Sequence, residues 1–323
     1  MTGGAHVRIV VTGGAGFIGA NLVARLTRTP EVDQVVVVDD LSTGDAARLE
    51  PSGGVELRKG SVLDARLMRD ATRGCDAIVH LAALASVPES LDRPGDYHDV
   101  NVTGTLRVLE AARVTGAHVI VASSAAVYGQ SPPLPAAETL PPDLHSVYAS
   151  SKLAAEAHAL AYGNAFDLPV LVLRFFNVFG PLQDVGHAYA AVVPAFVSAA
   201  VAGEPLTFFG DGEQTRDMVP VGAVTAVVTD ALVRGVTHSA PVNLAIGSRY
   251  SLLEIADALE QILDRRLERR HGPPRAGDVR HSQADTSALR RLFPDLQPPD
   301  FTDELRATVE WFQHGRPANG RPH

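Results

Sequence analysis

Short runs of Val, Ile and Ala, unbroken by polar residues, alternate with helix-length stretches over the first half of the chain. The runs Val7–Thr12, Val35–Asp39, Ala77–His80, His118–Ser123 and Val170–Phe175 predict strands. Between them, Ile18–Leu26 and Val100–Thr115 carry the spacing of amphipathic helices. A strand with one wet face alternates apolar with polar residues. Runs without that alternation, separated by helices, predict a parallel sheet covered on both faces. The proline-rich stretch from Gln130 to Pro142 predicts an exposed loop.

Beyond about residue 180 the rhythm changes. Helices are expected at Ala190–Ala202, Val221–Val233 and Ser251–Leu263, with short strands at Leu206–Phe209 and Val242–Ala245. The reading is a doubly wound domain over residues 1–180, to which later segments can return. A smaller mixed α/β lobe follows over 181–313, and a disordered tail over 314–323 that lacks an apolar anchor.

Composition narrows the function. A hydrophobic share of 46% supplies ample core. The longest uncharged stretch, Val185–Gly203, is interrupted by Gly186, His187, Pro194 and Ser198, too polar for a membrane span. A net charge of −9 argues against an electrostatic nucleic-acid binder, although a few local arginines suffice for an anionic substrate. The single cysteine, Cys75, excludes an internal disulfide framework, and no signal-peptide pattern precedes the first strand. A soluble cytoplasmic protein is expected, with no metal site.

The first strand runs into TGGAGFIG, with Gly13, Gly16 and Gly19 opening a helix through Phe17 and Ile18. Such glycines permit a tight turn, a close approach of backbone amides to a pyrophosphate, and close packing of helix on strand. The helix N-terminus then holds the phosphates. The second strand ends in Asp39-Asp40. A carboxylate at that place bonds ribose hydroxyls and repels a 2′-phosphate, so NAD is expected rather than NADP.

Tyr148 and Lys152 form a YxxxK pair, which a helix places on one face. A tyrosine of pKa ~10 is a poor base near neutrality. A neighbouring ammonium and a positive nicotinamide favour phenolate, so a lowered phenol pKa is expected. Ser124 falls where a strand leaves the sheet at the ligand crevice, and its hydroxyl can bridge Tyr148 and a substrate oxygen.

The glycine loop, VVVVDDLSTG, HLAA at 80–83, SSAAVYG at 123–129 and YxxxK together resemble the extended short-chain dehydrogenase/reductases, the nucleotide-sugar epimerases and dehydratases. The resemblance implies that Leu41, Ser42, Thr43 and Gly44 wrap the adenosine. It places Leu81, Ala82 and Ala83 along NAD, with Asn101 in support behind them. At Ser61 the family usually has an aspartate contacting the adenine amino group. Either NAD is held less tightly here, or Ser61 and the Val62 amide orient the adenine. Related dehydratases carry an Asp-Glu pair after the serine, whereas this chain has Ala125-Ala126, which cannot do that acid–base work.

RFFNVFGPLQD, HAYAAVVPAF, GDGEQTRD and RAGDVRHSQAD resemble the bacterial UDP-N-acetylglucosamine 4-epimerases over nearly the whole chain. The resemblance implies that Asn177 contacts the sugar-phosphate and that Arg216 and Arg275 clamp the diphosphate. Asp278 would hold the uridine ribose, Phe209 would lie beside the uracil, and Ser86 would contact the sugar. Ser282 stands where hexose-only members have a bulky tyrosine, which implies room for an N-acetyl group. The expected activity is NAD-dependent C4 epimerisation of a UDP-sugar, foremost UDP-GlcNAc/UDP-GalNAc, in a homodimer packed through helices near 101–115 and 150–162. UDP-glucose and UDP-glucuronate are alternative substrates. A non-catalytic NAD-binding regulator is the alternative of another class, and the intact relay argues against it.

Overall fold

A computed structural model of the chain describes residues 7–49, 54–185, 191–275 and 278–314. Its centre is a parallel sheet of seven strands. Six follow in chain order: β1 (Val7–Thr12), β2 (Val32–Asp39), β3 (Val55–Lys59), β4 (Ala77–His80), β5 (His118–Ser124) and β6 (Val170–Phe175). The seventh, Val242–Leu244, completes the order Val242–Leu244, β6, β5, β4, β1, β2, β3. The winding reverses between β1 and β4, which opens a crevice at their carboxyl ends, where such sheets bind ligands.

The apolar runs are explained by burial on both faces. Ile9, Val11, Val35 and Val37 face one core with Leu22, Val23 and Leu26 of helix α1 (Phe17–Leu26). Their neighbours Val10, Val36 and Val38 face a second core with Val108, Leu109 and Ala112 of the helix Gly104–Thr115. A third core, around Phe196, Phe208, Ile255 and Leu305, builds the C-terminal lobe.

The chain crosses between sheet and lobe more than its rhythm announces. Val242–Leu244, expected in the lobe, pairs in parallel with β6. The helix Val221–Arg234 covers the first core through Val224, Val227 and Val228. β3 had no clear signal because it is an edge strand, with Glu56 and Arg58 paired on its surface. The Gln130–Pro142 stretch is not wholly exposed: Ala136 is buried and bridges to Ala284. His314, read as the first residue of the tail, instead closes the helix Phe301–His314. The rest of the expected tail, 315–323, lies outside the described residues.

Candidate active site

A cavity of about 670 Å³ runs along the carboxyl ends of the strands, from the glycine loop to the lobe. Gly13, Gly16, Phe17, Ile18 and Gly19 form one end of its wall. Gly13 is left-handed (φ +70°), and a Cβ there would lie 2.7 Å from the Ala82 amide nitrogen. A Cβ on Gly19 would overlap the Gly13 carbonyl. Only glycines let loop, helix and neighbouring strand close this tightly.

Asp39 is buried at the end of β2, where it accepts hydrogen bonds from the Ala15 and Leu41 amides, both at 2.9 Å. Asp40 accepts from the Ser42 amide at 2.9 Å and its hydroxyl at 2.6 Å. Asp39, Asp40, Ser42 and Thr43 line the cavity, as do Ser61 and Val62. Leu41 and Gly44 do not: Leu41 turns the chain at φ 61°, and Gly44 packs against Asp39. Their part is to shape the loop rather than its surface. This cradle of small residues, with an acidic group in place of a basic one, fits NAD and would repel a 2′-phosphate.

Leu81, Ala82 and Ala83 continue the wall. Asn101 lies behind it, in a widened turn over Asp99–Thr103 where the Gly104 amide bonds to the Asp99 carbonyl. Such turns interrupt helices mostly where a site needs them. The Asn101 side chain accepts from Leu84 N–H at 2.8 Å, donates to the Leu84 carbonyl at 3.0 Å, and donates to Ser151 Oγ at 2.9 Å.

Ser124, Tyr148 and Lys152 all reach the cavity. Ser146 caps the helix Val147–Phe166 by accepting from the Ala149 amide, so Tyr148 falls in its first turn. Lys152 is buried and donates to the Ala122 carbonyl at 2.9 Å. Ser124 Oγ accepts from the Ala126 amide at 3.2 Å, starting the short turn that holds Ala125-Ala126. The expected lowering of the phenol is not what the protein alone provides: burial raises Tyr148, and its hydrogen bond with Ser124 opposes that only in part.

Burial also pushes Lys152 down to about 8. The unfolded chain keeps this proton to the ordinary lysine value, so between the two pKa values it binds more protons than the native chain. Stability is therefore expected to rise with pH from about 8 to about 10.4, the penalty being full below that window. Lys152→Met should flatten this rise, as read by urea unfolding at about pH 7 and about pH 10.

At the lobe end, Phe209, Arg216, Arg275, Asp278 and Asn177 line the same cavity. Arg275 stacks on the Phe209 ring at 3.7 Å from its centroid. Arg216 pairs with Asp278 at 2.5 Å, so the two charges expected to hold different parts of a ligand hold each other. A phosphate at Arg216 has to share it with Asp278. Two expected sugar contacts are absent from the wall. Ser86 sits on a turn, its amide bonded to Tyr97 Oη, and Ser282 donates its amide to the Thr215 carbonyl.

Several residues that build the site went unmarked in the sequence. Asp217, beside Arg216, is buried and accepts from the amides of Ile246, Gly247, Ser248 and Ala284. Burial pushes its carboxyl up against the pull of those donors. Glu156, one helical turn after Lys152, accepts from Ser123 Oγ at 2.7 Å and pairs with Arg174 at 2.6 Å. Its i+4 spacing from Lys152 was the available signal. Among the described residues no cluster of side chains is suited to a metal ion, and no helix is long and apolar enough to cross a membrane.

A family model described as the NAD dependent epimerase/dehydratase family matches residues 9–247. The UDP-glucose 4-epimerase of Mycolicibacterium smegmatis is 37% identical, with 95% of this chain and 99% of that protein covered. Among solved structures, a UDP-N-acetylglucosamine 4-epimerase from Methanobrevibacter ruminantium, in complex with UDP-N-acetylmuramic acid, matches with a TM-score of 0.91. It is 32% identical, over 96% of this chain and 99% of its own. The UDP-glucose 4-epimerase of Thermus thermophilus, in complex with NAD, matches with a TM-score of 0.85 and 33% identity over 96% and 100%.

Proposed function

This chain belongs to the NAD-dependent epimerase/dehydratase family, and we propose that it interconverts UDP-GlcNAc and UDP-GalNAc by epimerisation at C4. The carrying observation is one continuous cavity that joins the glycine loop, the Ser124–Tyr148–Lys152 group and the arginines of the lobe. A diphosphate clamped by Arg216 and Arg275 would put its sugar between them and Tyr148. Guanidinium forks suit phosphate oxygens, and the Phe209–Arg275 stack offers a flat face to a nucleobase.

The glycine loop and Asp39 would hold NAD, which would supply the hydride acceptor for oxidation at C4 and the donor for its reversal. Tyr148 Oη takes the proton from the sugar O4, with Ser124 Oγ bridging the two oxygens. Lys152 keeps positive charge beside the helix face that carries Tyr148, which favours phenolate when nicotinamide adds its own charge. The arginines hold the diphosphate while the 4-keto sugar turns, and Tyr148 gives the proton back. Ala125 and Ala126 offer no group to remove water from the sugar.

The family resemblance at Ser282 favours the acetylated sugars, although its side chain stays off the cavity wall. UDP-glucose and UDP-glucuronate are the alternatives. A panel of UDP-GlcNAc, UDP-glucose, UDP-glucuronate and their C4 epimers, followed by NMR, tests the reading. The N-acetyl pair should show the highest kcat/KM and no dehydrated product. A higher value for either alternative would reassign the sugar, and loss of water at a comparable rate would reassign the reaction. A homodimer packed through the helices Gly104–Thr115 and Val147–Phe166 is part of the same proposal, supported by exposed Val114 and Phe166 on them.

A further inference from the structure

His80 ends β4 just before the cofactor segment, is buried, and takes no part in the chemistry above. Both of its ring nitrogens are engaged: Nδ1 with Thr12 Oγ1 at 2.7 Å and Nε2 with Thr105 Oγ1 at 2.9 Å. The proton positions follow from valence. Thr105 has one hydroxyl proton and donates it to the Asn101 carbonyl at 2.6 Å. Toward His80 it can therefore only accept, which places the ring proton on Nε2. Nδ1 then carries a lone pair, and Thr12 donates to it. Burial and the charge of Lys152 hold the imidazole down to about 3, so the ring is neutral throughout the working range.

Each arm ends on a different part of the site. Thr12 Oγ1 accepts from the Ala82 amide at 3.3 Å, and a Cβ on Gly13 would lie 2.7 Å from that same nitrogen. A shift of Ala82 is thus a shift of the glycine loop. On the other side, Thr105 fixes Asn101, Asn101 donates to Ser151 Oγ, and Ser151 Oγ donates to the Tyr148 carbonyl at 2.8 Å.

We propose that His80 is a two-armed positioning residue, setting the dinucleotide loop through Thr12 and the Tyr148–Lys152 helix through Thr105 and Asn101. One fixed tautomer locks both arms at once. The cofactor arm rests only on the family's NAD dependence. The catalytic arm rests on the assignment of Tyr148 made above.

The arms can be cut separately. An asparagine at 80 offers a polar atom near the place of Nδ1, and a glutamine offers one near the place of Nε2. His80→Asn should lower kcat on the UDP-sugar about 10-fold or more while NAD⁺ dissociation stays within about 3-fold of wild type. His80→Gln should speed NAD⁺ dissociation from the holoenzyme about 10-fold, with kcat at saturating NAD⁺ within about 3-fold. Thr105→Val and Thr12→Val should reproduce the two phenotypes in the same order without altering the ring, which keeps the test open if a His80 variant does not fold. Dissociation is followed by the release of bound NAD⁺, a readout that needs no turnover. The proposal is overturned if each pair moves both quantities together in step with its loss of thermal stability, or if neither quantity moves. Tyr148→Phe is run in parallel. If it turns over like wild type, the Tyr148 assignment falls, while the dissociation results still decide the cofactor arm.

Discussion

Tyr148→Phe is expected to lower kcat for UDP-sugar epimerisation by about 10³-fold or more, the upper part of what a positioned acid–base group contributes. The change removes one oxygen and keeps the ring, so the edge-on packing against Tyr97, 6.4 Å between centroids, is retained. NAD⁺ binding should change little, because Gly13, Gly16 and Asp39 are untouched. The wild type should lose rate as Lys152 gives up its proton around 8, because the neutral amine no longer favours the phenolate. The residual rate of the variant should show no such fall, since it has no phenol for Lys152 to act on. The check is a pH profile of kcat for both proteins with NAD⁺ saturating. Retention of most of the wild-type rate would move the base elsewhere, and a loss of NAD⁺ binding in proportion to kcat would make Tyr148 a binding residue instead.

What the sequence disclosed of this site is what lies close together along it. The glycines at 13, 16 and 19 and the tyrosine–lysine pair four residues apart each form a local unit, so spacing alone marks them. Asp217 is different. Its donors lie at 246–248 and at Ala284, and no local spacing announces a meeting across that much chain. The same reason hides the Thr12–His80–Thr105 chain, which joins three separate elements. Ser282 shows the opposite failure. Its place in a motif implied a cavity contact, but the residue is fixed by its backbone pairing to Thr215, and where its side chain points is decided by tertiary packing. In the fold, Val242–Leu244 has the composition of any short apolar strand, and only the free edge of β6 determines that it joins the main sheet.

Glu156→Ala is expected to destabilise the protein by about 3–5 kcal/mol, the cost of leaving a buried charge without its partner. Glu156 and Arg174 are both buried, and their pairing at 2.6 and 3.0 Å is bidentate. Burial lowers Arg174, and Glu156 and Tyr128 outweigh it in the native protein. With Glu156 gone the guanidinium still keeps its charge, because arginine does not deprotonate in proteins. Among the described residues it would keep the Tyr128 ring, 4.8 Å away, and a long hydrogen bond to the Glu138 carbonyl at 3.4 Å. The double variant Glu156→Leu with Arg174→Met removes both charges and restores apolar volume. It should recover much of the loss, because replacing a whole buried pair costs far less than breaking one. Activity separates from stability in this comparison. Ser123 loses its acceptor in both variants, and Ser123 adjoins Ser124. The double variant should therefore fold well and still turn over more slowly than wild type. Urea unfolding gives the first quantity and kcat at saturating substrate the second. A double variant as unstable as Glu156→Ala would show that the pair is needed for more than its mutual charge.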